Sequence, residues 1–254
     1  MISRDELADI AKLKGLRHVV HAEKDYLLDL FLLAISRETK DELVFKGGTR
    51  LYKLSGLDRF SEDLDFSAVR PIETDALVRR VLGRLKDFGV ECSLSKKKEP
   101  FNSVLLSFRA KGPLYDGSPT SLCQIRVDIS LASSVEIPPK PERFSSLYAE
   151  VPAFILLAMD QTEVLAEKMR AILTRNKARD AYDAWFLLHR GVKMDMRLVA
   201  KKLAYYGLAW DGAQFAERLE AKRRIWQSEL RHLLLNPPPS FDEVKAGILK
   251  SVTG

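Results

Sequence analysis

The segment Val44-Phe-Lys-Gly-Gly-Thr-Arg-Leu-Tyr-Lys-Leu54, followed by Asp58-Arg-Phe-Ser-Glu-Asp-Leu-Asp-Phe66, decides the reading of this chain. It joins a glycine-bearing turn to two aspartates separated by one residue. A strand sends alternate side chains to the same face, so Asp63 and Asp65 would stand side by side while Leu64 and Phe66 enter a core. Two bare carboxylates at that spacing repel, which raises the pKa of one unless a cation sits between them. An all-oxygen ligand pair suits a hard divalent ion, Mg²⁺ above all, with nucleotide phosphates supplying further ligands. Upstream, Gly47 and Gly48 have no side chain, so phosphate oxygens can approach their backbone N–H groups closely. Residues 49–54 then suit a short helix whose N-terminus faces the turn, a natural anion site.

Working outward, residues 3–38 read as helices, with Leu27, Leu28, Phe31, Leu32 and Ile35 at helical spacing. The apolar run 43–45 fits either a buried strand or a helix end. Residues 64–68 read as a strand, and 75–88 as a helix stopped by Gly89. Strands are expected at 90–97, 103–109 and 122–130, the last two separated by a turn containing Gly112, Pro113, Asp116 and Gly117. In the third of these, Ile125, Val127 and Ile129 would face the core and leave Asp128 on the opposite side. A neighbouring strand could bring Asp128 beside Asp63 and Asp65. Three carboxylates are what a two-metal phosphoryl- or nucleotidyl-transfer site needs. The plain alternative is a solvated strand face, which spacing alone does not exclude.

The chain changes character at residues 137–141, where Pro138, Pro139 and Pro141 mark a connector. Beyond it the pattern is helical, at 162–174, 178–190, 196–206, 212–229 and 241–252, with Pro237, Pro238 and Pro239 as a further break. The expected fold class is α+β: residues 1–136 form N-terminal helices and a mixed α/β core, and 137–254 a helical domain. In the first of the later helices Leu165, Met169 and Ile172 would pack inward. Lys168 lies at the edge of that stripe, either reaching toward phosphates as a compact cation or paired with a neighbouring glutamate. Asp180 and Asp183 fall on adjacent turns of the next helix. They could fix Lys168, hold a water, or simply favour the helix start.

Bulk properties describe an ordinary globular protein of 254 residues, 46% hydrophobic and 30% charged. A net charge of +6 and a pI near 9.2 favour an anionic partner such as a nucleotide or RNA. Cys92 and Cys123 make neither a metal-ligand spacing nor a disulfide framework, so a reducing cytosol is expected. The charged start and the shortness of the most apolar run, residues 151–159, argue against secretion and membrane insertion. His18, His21, His189 and His232 show no partner spacing, and Trp185, Trp210 and Trp226 read as core. The basic clusters 96–98, 175–179 and 222–224 are solvated faces or phosphate contacts.

Five motifs occur in order: Lys46-Gly-Gly-Thr49, Arg59-Phe-Ser-Glu-Asp-Leu-Asp-Phe66, Val127-Asp-Ile129, Glu163-x-x-Ala-Glu-Lys168 and Arg179-Asp-x-Tyr-Asp183. The set resembles the AbiEii/AbiGii (MenT-like) nucleotidyltransferase toxin family over residues 44–188. The resemblance implies a polymerase-β-like nucleotidyltransferase core followed by a helical domain. It also implies the toxin of a prokaryotic toxin–antitoxin pair, transferring nucleotides from an NTP to an acceptor, the tRNA 3′ end in relatives. In these terms Lys46, Gly47, Gly48 and Thr49 hold the phosphates, and Asp63, Asp65 and Asp128 hold Mg²⁺. Lys168 contacts the nucleotide, and Asp180 or Asp183 is the last acidic motif. Arg50 departs from the family's small residue, which puts an extra cation beside the phosphate turn and could alter nucleotide preference. Two alternatives stay open: a module that binds NTP without turnover, and transfer to a protein hydroxyl of the antitoxin or of the chain itself.

Overall fold

A computed structural model describes residues 1–100, 102–131, 135–234 and 236–253. The chain divides into two units, the first made of Met1–Leu54, Phe60–Ser134 and Lys140–Ala158. Its elements in chain order are α1 (Arg4–Leu13), α2 (Val19–Glu38), β1 (Leu43–Lys46), α3 (Gly47–Leu54), β2 (Asp63–Ala68), α4 (Thr74–Asp87), β3 (Cys92–Lys98), β4 (Ser103–Ala110), β5 (Cys123–Ser130), β6 (Lys140–Phe144) and β7 (Phe154–Ala158). The strands form one mixed sheet in the order β3-β4-β5-β2-β1-β7-β6. One face of it packs against α1, α2 and α4 to make the core.

Local sequence explains these elements. Ser3 and Glu6 close a capping box on α1, satisfying N–H groups that the first turn leaves without acceptors. α4 stops at Gly89, which takes φ +76°, a conformation costly for residues with a Cβ. In β2, Leu64 and Phe66 are buried and Asp63 and Asp65 half-buried; in β5, Ile125, Val127 and Ile129 are buried and Asp128 half-buried. Each buried aliphatic or aromatic side chain stabilises by about 1.5–3 kcal/mol. A slip of one residue would exchange five of these for the acids, so apolar burial fixes which way the acids face.

Two strands are not expected from the sequence. β6 and β7 extend the sheet past the proline-rich connector, and helix begins only at Gln161. Pro141 lies inside β6, which its sequence disguises. The strand is tolerated because β6 is the sheet's edge and pairs only with β7, so one of its two sides needs no N–H donors.

The second unit comprises Ser55–Arg59, Val135–Pro139 and Met159–Gly254. It contains α5 (Gln161–Thr174), α6 (Ala178–His189), α7 (Met196–Ala204), α8 (Gly212–Glu220), α9 (Trp226–Leu230) and α10 (Phe241–Thr253). Asp160, Asp195 and Asp211 cap α5, α7 and α8 through their side chains. The single helix expected over 212–229 is broken by a 3₁₀ segment, Ala221–Ile225. There Lys222 is buried and donates to the carbonyls of Ile172 (3.0 Å) and Arg218 (2.9 Å), an inward pull that a regular exposed face would not need.

Candidate active site

In the first unit the strand register decides what meets. β2 and β5 run parallel with Asp65 opposite Asp128 and Asp63 opposite Arg126. β1 runs antiparallel to β2 with Lys46 opposite Asp65. Paired residues of adjacent strands, about 4.8 Å apart, project to the same face. Lys46, Asp63, Asp65, Arg126 and Asp128 therefore share the face turned away from the core. The juxtaposition of residue 128 with the acidic pair, an open possibility in the sequence, is a property of the fold.

Gly47 begins α3 with φ +77°, and a Cβ built on it would overlap the Asp65 carboxylate, lying 2.8 Å from its Cγ. Only glycine lets the turn and the acid approach this closely. Thr49 is fully buried, and its hydroxyl donates to the carbonyl of Asp63, with Ser61 Oγ 2.8 Å away. Its side chain thus ties the start of α3 to the start of β2. As a first-turn residue it keeps a backbone N–H with no intrahelical acceptor. The expectation of an extra cation at the turn from Arg50 is not met: its guanidinium is buried and pairs with Glu142 of β6 at 2.5 Å.

The far end of α3 is held by charge. Lys53 pairs with both Asp25 and Asp29 of α2, and Lys14 also reaches Asp25. Tyr148 Oη donates to Asp25 at 2.9 Å, and Ser146 Oγ donates to Asp29 at 2.6 Å. Burial pushes the Asp25 carboxyl up, but Lys53 and Lys14 outweigh it and hold it at about 2. For Asp29 burial wins, aided by the charge of Asp25, and its pKa is raised.

In the second unit Lys168 is buried, with Nζ 2.7 Å from Asp183 and 3.3 Å from Asp180. Arg59 clasps Asp183 through Nε and Nη2, both at 2.6 Å. Arg175 clasps Asp180 at 2.6 and 2.7 Å. Burial would raise both carboxyls, yet the surrounding cations hold both below the ordinary range. Lys168 is neither an exposed cation nor partnered by a glutamate; of the roles open to the two acids, they fix Lys168. The sequence alone assigns Arg59 no role. Its partner lies 124 residues away, so no periodicity connects them.

A metal site needs oxygen donors within reach of one point. Asp63, Asp65 and Asp128 supply hard donors of the kind Mg²⁺ selects, and the Asp65 carboxylate lies directly against the glycine turn. Among the described residues no group of three or more His, Cys, Asp or Glu side chains is already gathered to hold an ion. The fit is one of donor chemistry and strand register, without a closed cage.

A family profile described as "Nucleotidyl transferase AbiEii toxin, Type IV TA system" matches residues 30–246. A comparison with curated proteins gave no match. Among solved structures, MenT4, a nucleotidyltransferase toxin from Mycobacterium tuberculosis H37Rv, superposes with a TM-score of 0.70 at 22% identity, covering 99% of this chain and 88% of that one. JHP933 from Helicobacter pylori superposes with a TM-score of 0.60 at 18% identity, covering 92% of this chain and 90% of that one. At such identities the likeness speaks for the fold: an α+β chain with a central mixed sheet, as in these proteins.

Proposed function

This chain belongs to the AbiEii nucleotidyltransferase toxin family of type IV toxin–antitoxin systems, and from that premise we propose that it transfers a nucleotide from an NTP to the 3′ end of tRNA and so blocks translation. The reading places it in the cytoplasm beside a cognate antitoxin protein. Among the described residues no helix is long and apolar enough to cross a membrane.

In this reading the backbone N–H groups at Gly47, Gly48 and Thr49, with the Lys46 ammonium, take the triphosphate. Asp63, Asp65 and Asp128 would hold Mg²⁺, which when bound neutralises phosphate charge and favours the deprotonated acceptor hydroxyl. The acceptor oxygen bonds to the α-phosphorus, the bond to the β-phosphate oxygen breaks, and pyrophosphate leaves. Asp128 takes the hydroxyl proton. In the second unit, Asp180 and Asp183 keep the Lys168 ammonium in one position.

One observation carries the reading: Asp65 stands opposite Asp128 on the open face while Gly47 abuts the same Asp65 carboxylate. Nucleotide binding without turnover does not require the full set of three acids, which favours the transferase reading. The test is Asp65→Asn, incubated with total tRNA and each labelled NTP in turn, with and without Mg²⁺. Transfer should fall to background and growth arrest should be relieved at equal expression, while the folded signal persists. Persistence of both transfer and toxicity would refute the assignment. Label on a protein in place of RNA would move the acceptor to a protein hydroxyl.

A further inference from the structure

The open face of the sheet carries a second pattern. Strand register lines up Lys96, Ser107, Arg126 and Asp63 in a row from β3 through β4 and β5 to β2. The next row is Lys98, Leu105, Asp128, Asp65 and Lys46. On the other side of the first lies Ser93, Arg109 and Gln124. The alternate residues Leu94, Phe108, Ile125 and Val127 face the core. From Lys96 to Asp63 is three strand spacings, about 14 Å.

Lys96, Lys98, Arg109 and Arg126 are all exposed, and none forms an ion pair with a described residue. Nearby lysines behave otherwise. Lys97, facing the other way on β3, pairs with Asp75 and Glu99 at 2.7 Å, and Lys111 pairs with Glu91 at 2.5 Å. Among the described residues of β1 to β5, the only acids are Asp63, Asp65 and Asp128. The face is therefore graded, with cations toward β3 and acids at β2 and β5.

Lysines on β3 could serve only to block edge-to-edge pairing, since β3 ends the sheet. Arg109 and Arg126 lie on the interior strands β4 and β5, where edge protection has no purpose. Lys96, Lys98 and Arg109 lie toward the β3 edge, away from the three acids, and an anionic partner relieves their mutual repulsion. Hydroxyls of Ser93 and Ser107 between them are further donors to phosphate. The rows carry no aromatic residue and Leu105 as their one apolar side chain, which is poor anchoring for a protein partner.

We propose that this face is the track for the acceptor RNA, its cations binding the phosphate backbone and leading the 3′ end toward Asp63, Asp65 and Asp128. The proposal rests on the transferase reading above and adds to it the surface that selects the acceptor. It is tested with the full chain by fluorescence anisotropy of labelled tRNA between 50 and 200 mM salt. Lys96→Glu with Arg109→Glu should weaken binding at least tenfold and flatten the slope of log Kd against log salt by roughly 1 for each phosphate no longer neutralised. Lys96→Gln with Arg109→Gln should show a smaller change in the same direction, and far-UV circular dichroism establishes that each variant is folded. Lys193→Glu with Arg197→Glu, which changes net charge equally from exposed positions on the helical unit, should leave binding within twofold. Unchanged affinity and slope in the first pair, or equal weakening in the control pair, would overturn the proposal. Retained tRNA binding with loss of antitoxin binding would assign the face to a protein instead. Either result leaves the Asp65→Asn test of transfer standing, so the two readings fail separately.

Discussion

Gly47 shows how much a single position can decide. Its φ of +77° and the carboxylate occupying the space of its missing Cβ make it intolerant of any side chain. Gly47→Ala should push Asp65 aside by enough to cost on the order of 10²-fold in transfer rate, because misplacement of about 1 Å is that expensive. Thermal unfolding should shift much less than in a core truncation; the comparison of kcat with the unfolding midpoint checks it. Asp63, Asp65 and Asp128 were legible in the sequence because alternation with buried apolar residues is local. Arg59, Arg50 and Lys53 were not. Each finds its partner at long range, through packing of elements whose order the sequence does not state, and a charged residue bound for an ion pair looks the same as a solvated one.

At the scale of elements, α3 is held at both ends: Thr49 ties its start to β2, and Lys53 ties its end to α2. The two acids receiving Lys53 should respond unequally to neutralisation. Asp25→Asn leaves Lys53 and Lys14 buried without one of their counter-charges and should cost about 3–5 kcal/mol by urea unfolding at pH 7. Asp29 is buried where its charged form is disfavoured, so Asp29→Asn should cost less than about 1 kcal/mol, with Ser146 still donating to the amide oxygen. Equal destabilisation would contradict the division of charge between them. Helices and the strands β2, β4 and β5 followed from periodicity and stop signals. β6 and β7 did not, because five-residue strands beside prolines carry little pattern, and their place is set by the edge they complete. The break after α8 was hidden for a related reason: Lys222 sits among basic neighbours and its burial depends on Ile172.

For the whole molecule the buried carboxylates set the pH response. Asp25, Asp180 and Asp183 have folded pKa values below the ordinary one, near 3.9. The unfolded chain therefore binds more protons as pH falls through about 4, and the stability they contribute at neutral pH is lost toward their folded values. Asp29 and Glu23 have raised values and act in the opposite sense, their contribution being present at low pH and lost as pH rises through their folded pKa. The unfolding midpoint should hold from pH 7 to about 5 and drop steeply below about 4. A steep loss starting above pH 6 would require different groups.

The short piece Ser55–Arg59 belongs to the helical unit although it comes from the first quarter of the chain. Arg59 supplies the clasp for Asp183 and bridges to Leu234. The helical unit therefore closes only when residues on both sides of the sheet's strands are present, and a product starting after β7 would leave Asp183 buried with one of its two counter-ions gone. Such a clipped copy should unfold at a lower temperature than the same residues within the full chain, because burying an acid without its partner is costly.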